Sequence, residues 1–246
     1  MAIYEQPVRL LLREMVAELA PEKGTVFTRQ QAIAWFAQHY PKVKEGTVSA
    51  HLLRFSTNAK SRVHYSPRTD EDILFQIDST RFRFYDPLID PSPIRSDDTV
   101  AQQASDTVDE ELPPTPSEFA YERDLSAFLA KHLSIIEPGL RLYEDEGITG
   151  VEFPVGGRFV DILGVDAQNR LVVIELKVSR GYDRVVGQLL RYVAWIKKYQ
   201  AEPGQGVRGI IVAREISEDL KLACSGLSDV ELFEYELSVI LRNVEI

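Results

Sequence analysis

Apolar positions in the first third of the chain recur at helical spacing. Val8, Leu11, Leu12, Met15, Val16 and Leu19 fall on one stripe of a 3.6-residue repeat, and Pro21-Glu-Lys-Gly24 closes it. Thr28 followed by Gln31 reads as a capping box that opens a second helix through Ile33, Trp35, Phe36 and Tyr40, stopped by Pro41. A third helix is expected from Lys44 or Glu45 to about Phe55. Val48, Leu52 and Phe55 would face inward, and Thr47, Ser49, His51 and Arg54 outward. The period then shortens. Ile73–Ile77 and Arg81–Tyr85 are β-rich runs around Asp78-Ser79-Thr80, a hairpin signal.

Between Asp86 and Ser117 large apolar residues are few, prolines cluster near both ends and the middle is polar and acidic, which predicts a flexible tether. Patterning resumes after it. The runs Gly157–Gly164 and Leu171–Lys177 read as neighbouring strands joined through the turn-rich Asp166-Ala-Gln-Asn169. A helix around Gln188 follows, with Arg184, Gln188, Arg191, Tyr192 and Trp195 on one face and Val185, Leu189, Val193 and Ile196 on the other. Val207–Ala213 predicts a buried strand, Glu218–Cys224 a short helix and Val230–Tyr235 another strand. Together these predict a mixed sheet with helices on both sides. The expected division is 1–88, a tether over 89–117, and 118–246.

Two acids and a lysine interrupt the apolar strands. Asp161 sits between Val160 and Ile162, and Glu175 and Lys177 flank Leu176, where burial predicts Val or Ile. Burying charge without partners is too costly to be idle. Residues two apart share a strand face, so Glu175 and Lys177 lie side by side, and a hairpin brings Asp161 next to them. A structural salt-bridge cluster is the plain alternative. These residues resemble the PD-(D/E)XK nuclease superfamily, whose signature is an acid on one strand and Glu-x-Lys on the next. Tyr121–Leu140 looks like the first helix of a NucS-type endonuclease domain. Gly157-Arg158 before Asp161, and Gln188 with Tyr192 in a Gln-x-x-x-Tyr helix, also fit that family. The resemblance runs from about Glu118 to residue 246 and leaves the first half unexplained.

That resemblance implies a restriction-endonuclease-like α/β (α+β) fold and a metal-dependent endonuclease. Asp161, Glu175 and the Leu176 carbonyl would hold Mg²⁺, with Mn²⁺ able to substitute, and Glu122 matches an additional acid that orients an ion or its water. Lys177 would hold or help deprotonate the attacking water, and Gln188 would position water or the scissile phosphate. Arg158, Arg184, Arg191, Tyr192 and Trp195 would line the DNA cleft. For Glu122 the ordinary alternative is a first-turn acid favoured by the helix dipole. No small-molecule cofactor is expected.

The helices and hairpin of 1–88 resemble a winged helix-turn-helix domain. This implies base-edge roles for Thr47, Ser49, His51 and Arg54, and phosphate roles for Lys60 and Arg62. Such domains also bind proteins. A separate reader tethered to a cutter favours a restriction endonuclease, including the modification-dependent kind, with NucS-like repair of mismatched, branched or single-stranded DNA as the alternative. A catalytically silent DNA-binding regulator, and an enzyme of RNA or free ends, complete the set. Cutting both strands implies a homodimer.

A formal charge of -10 taken as a whole opposes a polyanionic partner, but its distribution changes that picture. Residues 1–88 hold 12 Lys+Arg against 10 Asp+Glu, 89–117 hold 1 against 7, and 118–246 hold 15 against 21. Seven basic residues within 170–200 face only Glu175 and Asp183, a local basic strip beside the candidate site. The single cysteine, Cys224, excludes an intramolecular disulfide, and the scattered His39, His51, His64 and His132 imply no zinc. With no apolar run long enough for a bilayer and no signal segment at the start, a cytoplasmic protein is expected.

Overall fold

The computed structural model describes residues 4–95, 116–177 and 183–236, and for 116–122 and 183 the backbone only. Three helices open the chain: α1 (Val8–Leu19), then a short strand β1 (Phe27–Thr28), α2 (Arg29–His39) and α3 (Glu45–Phe55). The α1 stripe is buried as its spacing predicts, and the Thr28–Gln31 capping box is formed in both directions. Strands β2 (Leu74–Gln76) and β3 (Arg81–Phe84) make the hairpin, and β1 adds to it in the order β1-β3-β2. Phe27, Phe36, Phe55, Leu74 and Phe82 close this core. Two 3-10 helices, Lys60–Tyr65 and Thr69–Glu71, fill the space between α3 and β2.

The expected tether does not begin free. Arg83 forms two hydrogen bonds to the Asp90 carboxylate, Arg95 pairs with Asp72, and Ile94 N–H donates to the Thr57 carbonyl. These contacts fasten residues 90–95 to the N-terminal unit. The rest of the expected tether, 96–115, lies outside the described residues.

The second half begins with α4 (Pro116–Lys131), followed by the short strands β4 (Arg141–Leu142), β5 (Glu144–Asp145) and β6 (Ile148–Thr149). Then come β7 (Val151–Val155), β8 (Arg158–Val165), β9 (Leu171–Lys177), α5 (Asp183–Tyr199), β10 (Val207–Ala213), α6 (Glu218–Cys224) and β11 (Val230–Glu234). The main sheet runs β11-β10-β9-β8-β4, with β7 also paired to β8. Its β10 neighbours are parallel, and β8 is antiparallel to β9, β7 and β4, so the sheet is mixed as expected. One face packs Val185, Leu189 and Ile196 of α5 against Leu171 and Val173. The other packs Leu125 and Leu129 of α4 against Val172, Ile174 and Leu176. A central strand buried on both faces is a near-continuous apolar run, which is why Val172-Val173-Ile174 shows no alternation.

The two halves are joined by α3. Every residue from Gly46 to Phe55 is buried, and Ala50 and Leu53 belong to the same core as Phe153 and Tyr192. Polar contacts complete the joint. Thr47 donates to Asp145, Gln200 donates to Thr47 and Tyr143, and Arg54 donates to the Gly147 carbonyl. Gly46 allows the close approach, since a Cβ at that position would come within 2.4 Å of Gln200 Oε1 and 3.0 Å of the Phe153 ring and displace the Gln200 amide. Among the described residues no helix is long and apolar enough to cross a membrane.

Candidate active site

The β8–β9 turn fixes the register of the site. The Asp166 carboxylate accepts from the N–H groups of Gln168 and Arg170 and pairs with the guanidinium groups of Arg170 and Arg208. Burial works to raise its pKa, but these hydrogen bonds prevail and hold it below the ordinary aspartate value. Asn169 takes the left-handed conformation, φ +63°, which its short side chain tolerates. From there Val165 pairs with Leu171 and Ile162 with Ile174. The ladder ends at that pair, and beyond it Asp161 on β8 and Glu175 on β9 are each one residue further along.

Asp161 accepts a hydrogen bond from the Leu176 N–H at 2.7 Å. The N–H and C=O of a strand residue share one edge, so the Leu176 carbonyl lies on the Asp161 side. Glu175 is buried, 2% exposed, beneath α5. Its Oε2 accepts from Gln188 Nε2 at 2.9 Å, and that amide also reaches the Tyr192 hydroxyl at 3.3 Å. Burial, and then the Glu175 charge, push the Tyr192 phenol pKa up, so its hydroxyl stays protonated while its oxygen accepts from Gln188. Lys177 ends β9 half-buried, two residues from Glu175.

Asp161, Glu175, the Leu176 backbone and Gln188 thus converge where β8, β9 and α5 meet, with Lys177 two residues on. Two carboxylates and a carbonyl form an all-oxygen donor set, which suits a hard divalent cation that keeps several waters. Among the described residues no group of three or more His, Cys, Asp or Glu is placed to hold a metal ion. Glu122 lies on α4, which packs against β8 and β9; its side chain is outside the described residues.

Residues 121–229 match the family described as the Endonuclease NucS C-terminal domain. They form a NucS-type nuclease domain. Endonuclease NucS of Methanopyrus kandleri is 35% identical over 100 residues, 41% of this chain and 35% of that protein. Endonuclease NucS of Sulfolobus acidocaldarius is 36% identical over 107 residues, 42% and 39% of the two. That of Pyrococcus furiosus is 34% identical over 101 residues, 41% and 34%. The chain therefore spans little more than a third of the curated relatives it matches. Residues 7–84 match a separate family, described as a domain of unknown function (DUF7669).

Beside the NucS-type domain, the expected reading helix is not available to DNA. Thr47, Ser49, His51 and Arg54 are 1%, 5%, 0% and 7% exposed, because α3 is the joint between the halves. Arg54 pairs with the buried Glu71, and the His51 ring contacts the Thr47 carbonyl. Arg62 is fully buried against Asp72, which removes it from phosphate contact; Lys60 is exposed. Tyr192 also differs from expectation. It is 4% exposed, packed with Val185 and Leu189 rather than facing the cleft.

Arg158, Arg184 and Arg191 are exposed as expected, and Trp195 is half-buried against Tyr199. The sequence reading missed β7 and, with it, Arg29. That arginine stands at the turn between β7 and β8, where a Cβ at Gly157 would lie 3.8 Å from its Nη1. Its only sequence signal was a place just inside a helix cap, too common to mark a site.

Proposed function

We propose that the chain is a Mg²⁺-dependent DNA endonuclease of the NucS-like type, hydrolysing phosphodiester bonds in mismatched, branched or single-stranded DNA. The observation that carries this reading is the placement of Asp161 on β8 beside the Glu175–Lys177 end of β9, where Leu176 N–H donates to the Asp161 carboxylate, inside a NucS-type domain. A bound divalent cation would supply Lewis-acid stabilisation of the pentavalent phosphate and a more acidic water. Asp161, Glu175 and the Leu176 carbonyl would hold it, with Mn²⁺ a competent substitute. Lys177 holds the attacking water and offsets charge growing on the phosphoryl oxygens. Gln188 keeps the Glu175 carboxylate oriented from α5. No nucleophilic side chain is needed.

The restriction reading rested on a reader helix in the first half. That helix is the joint of the molecule, and the curated relatives favour the NucS-like alternative. Incubation with labelled duplex, mismatched, branched, single-stranded and base-modified DNA, and with RNA, in Mg²⁺ tests the assignment. Cleavage of mismatched, branched or single-stranded DNA above perfect duplex and RNA is expected. Cleavage of base-modified duplex alone would return the restriction reading, and cleavage of RNA alone would contradict the DNA substrate.

A further inference from the structure

We propose that Arg29 of the N-terminal unit, standing over the Gly156–Gly157 turn beside Trp195, is a backbone-phosphate contact for the nucleic acid whose scissile bond reaches Asp161 and Glu175. The proposal rests on the nuclease reading above and adds a subsite that spans both halves of the chain.

Arg29 is unlike the other arginines withdrawn from solvent. Arg54, Arg62, Arg83 and Arg208 each meet a carboxylate, at 3.0, 2.6, 2.5 and 2.7 Å. Arg29 forms no such pair among the described residues, and its Nε is buried with no hydrogen-bond partner. It begins α2, its N–H is spent on the Thr80 carbonyl, and its guanidinium lies 5.9 Å from the Phe82 ring centroid. Burial lowers its pKa, and the nearby negative charge comes from Glu45. Glu45 is itself pushed toward its neutral form by burial and is shared with Lys198. Burial leaves that Nε unpaired, and the other N–H groups of this half-buried guanidinium, at the Gly157 turn, can offer a phosphate a bidentate contact.

The turn beneath it is built for close approach. Gly156 and Gly157 have φ of +55° and +86°, and residues 156–158 are exposed. A Cβ on Gly156 would lie 3.1 Å from the Trp195 indole nitrogen, so guanidinium and indole flank a bare backbone. Arg158 follows directly, and Lys198 lies one helical turn beyond Trp195, its ammonium 4.8 Å from the Tyr199 ring centroid. Basic groups interleaved with aromatic rings suit a sugar-phosphate strand. Gly157 precedes Asp161 by four residues, about 13 Å at a strand rise of ~3.3 Å.

The test is the affinity of the full chain for a labelled DNA duplex in EDTA, measured across a potassium chloride series. Arg29→Ala is expected to weaken binding roughly tenfold and to lower the slope of log affinity against log salt by about one phosphate contact. Arg29→Lys should keep most of the slope. A purely structural Arg29 would shift the thermal midpoint and leave the slope of the folded protein unchanged, which overturns the proposal. If Arg29→Ala does not fold, Arg29→Gln keeps the stem over Phe82 and gives the same readout. Wild-type protein that binds and cuts DNA while the Arg29 variants match it refutes the subsite alone. Wild-type protein that neither binds nor cuts nucleic acid refutes the nuclease reading and the subsite with it.

Discussion

Gln188 is the side chain through which α5 speaks to the acids on the sheet, since its amide donates to Glu175 and to Tyr192. Gln188→Ala removes a hydrogen bond to a charged group, worth about 1.5–3 kcal/mol. Single-turnover cleavage should slow roughly tenfold to a hundredfold with little change in DNA affinity. An unchanged rate would mean that the amide does not orient Glu175. Asp161, Glu175 and Lys177 could be read in the sequence because charge inside an apolar strand is expensive and so needs a reason. Tyr192 could not. A helical wheel groups it with Gln188, and only the packing of α5 on the sheet shows that its ring is core while its hydroxyl alone reaches the site.

At the scale of elements, α3 decides how the halves meet. Its start, end and inward stripe follow from periodicity. The partners of its other face, Asp145, Gly147 and Gln200, lie roughly a hundred residues or more along the chain, and no local pattern announces them. Arg54→Ala should destabilise the protein by about 3–5 kcal/mol, because buried Glu71 loses its ion-pair partner. Urea unfolding measures this, and the folded fraction should bind DNA as wild type does; a selective loss of DNA affinity at wild-type stability would restore the reading-helix role.

His51 adds a pH dependence to the same helix. Burial holds its pKa down to about 4, with Arg54 lowering and Glu71 raising it, so the imidazole is neutral at pH 7. The depressed value means that the unfolded chain binds the proton more readily. Stability is therefore full above the unfolded pKa of about 6.5 and is lost as pH falls toward 4. Urea midpoints should drop over that window, and His51→Gln should flatten the drop; an equal slope in both proteins would assign the acid sensitivity to other groups.

For the whole molecule, the mixed sheet and its flanking helices were legible because α5 carries a clear helical period and β9 and β10 are short apolar runs of strand length. The short strands β4 to β6 and the edge strand β7 were not, since two to five residues give too little pattern to separate strand from loop. Composition predicts a free tether from residue 89, but residues 90–95 are fastened by the Arg83–Asp90 and Arg95–Asp72 pairs, which composition does not show. The architecture places a separate N-terminal unit directly against a NucS-type domain, so substrate is expected to meet both at once. Cleavage should stop in EDTA and return with Mg²⁺ or Mn²⁺.

The most direct measurement compares wild type with Lys177→Ala, cutting and binding the same labelled DNA in Mg²⁺. With Lys177 holding the attacking water and balancing charge on the phosphoryl oxygens, the variant should lose cleavage by at least about a hundredfold while retaining nearly all of its DNA affinity. Cleavage by Lys177→Ala at the wild-type rate would contradict the assignment of the chemistry to Asp161, Glu175 and Lys177.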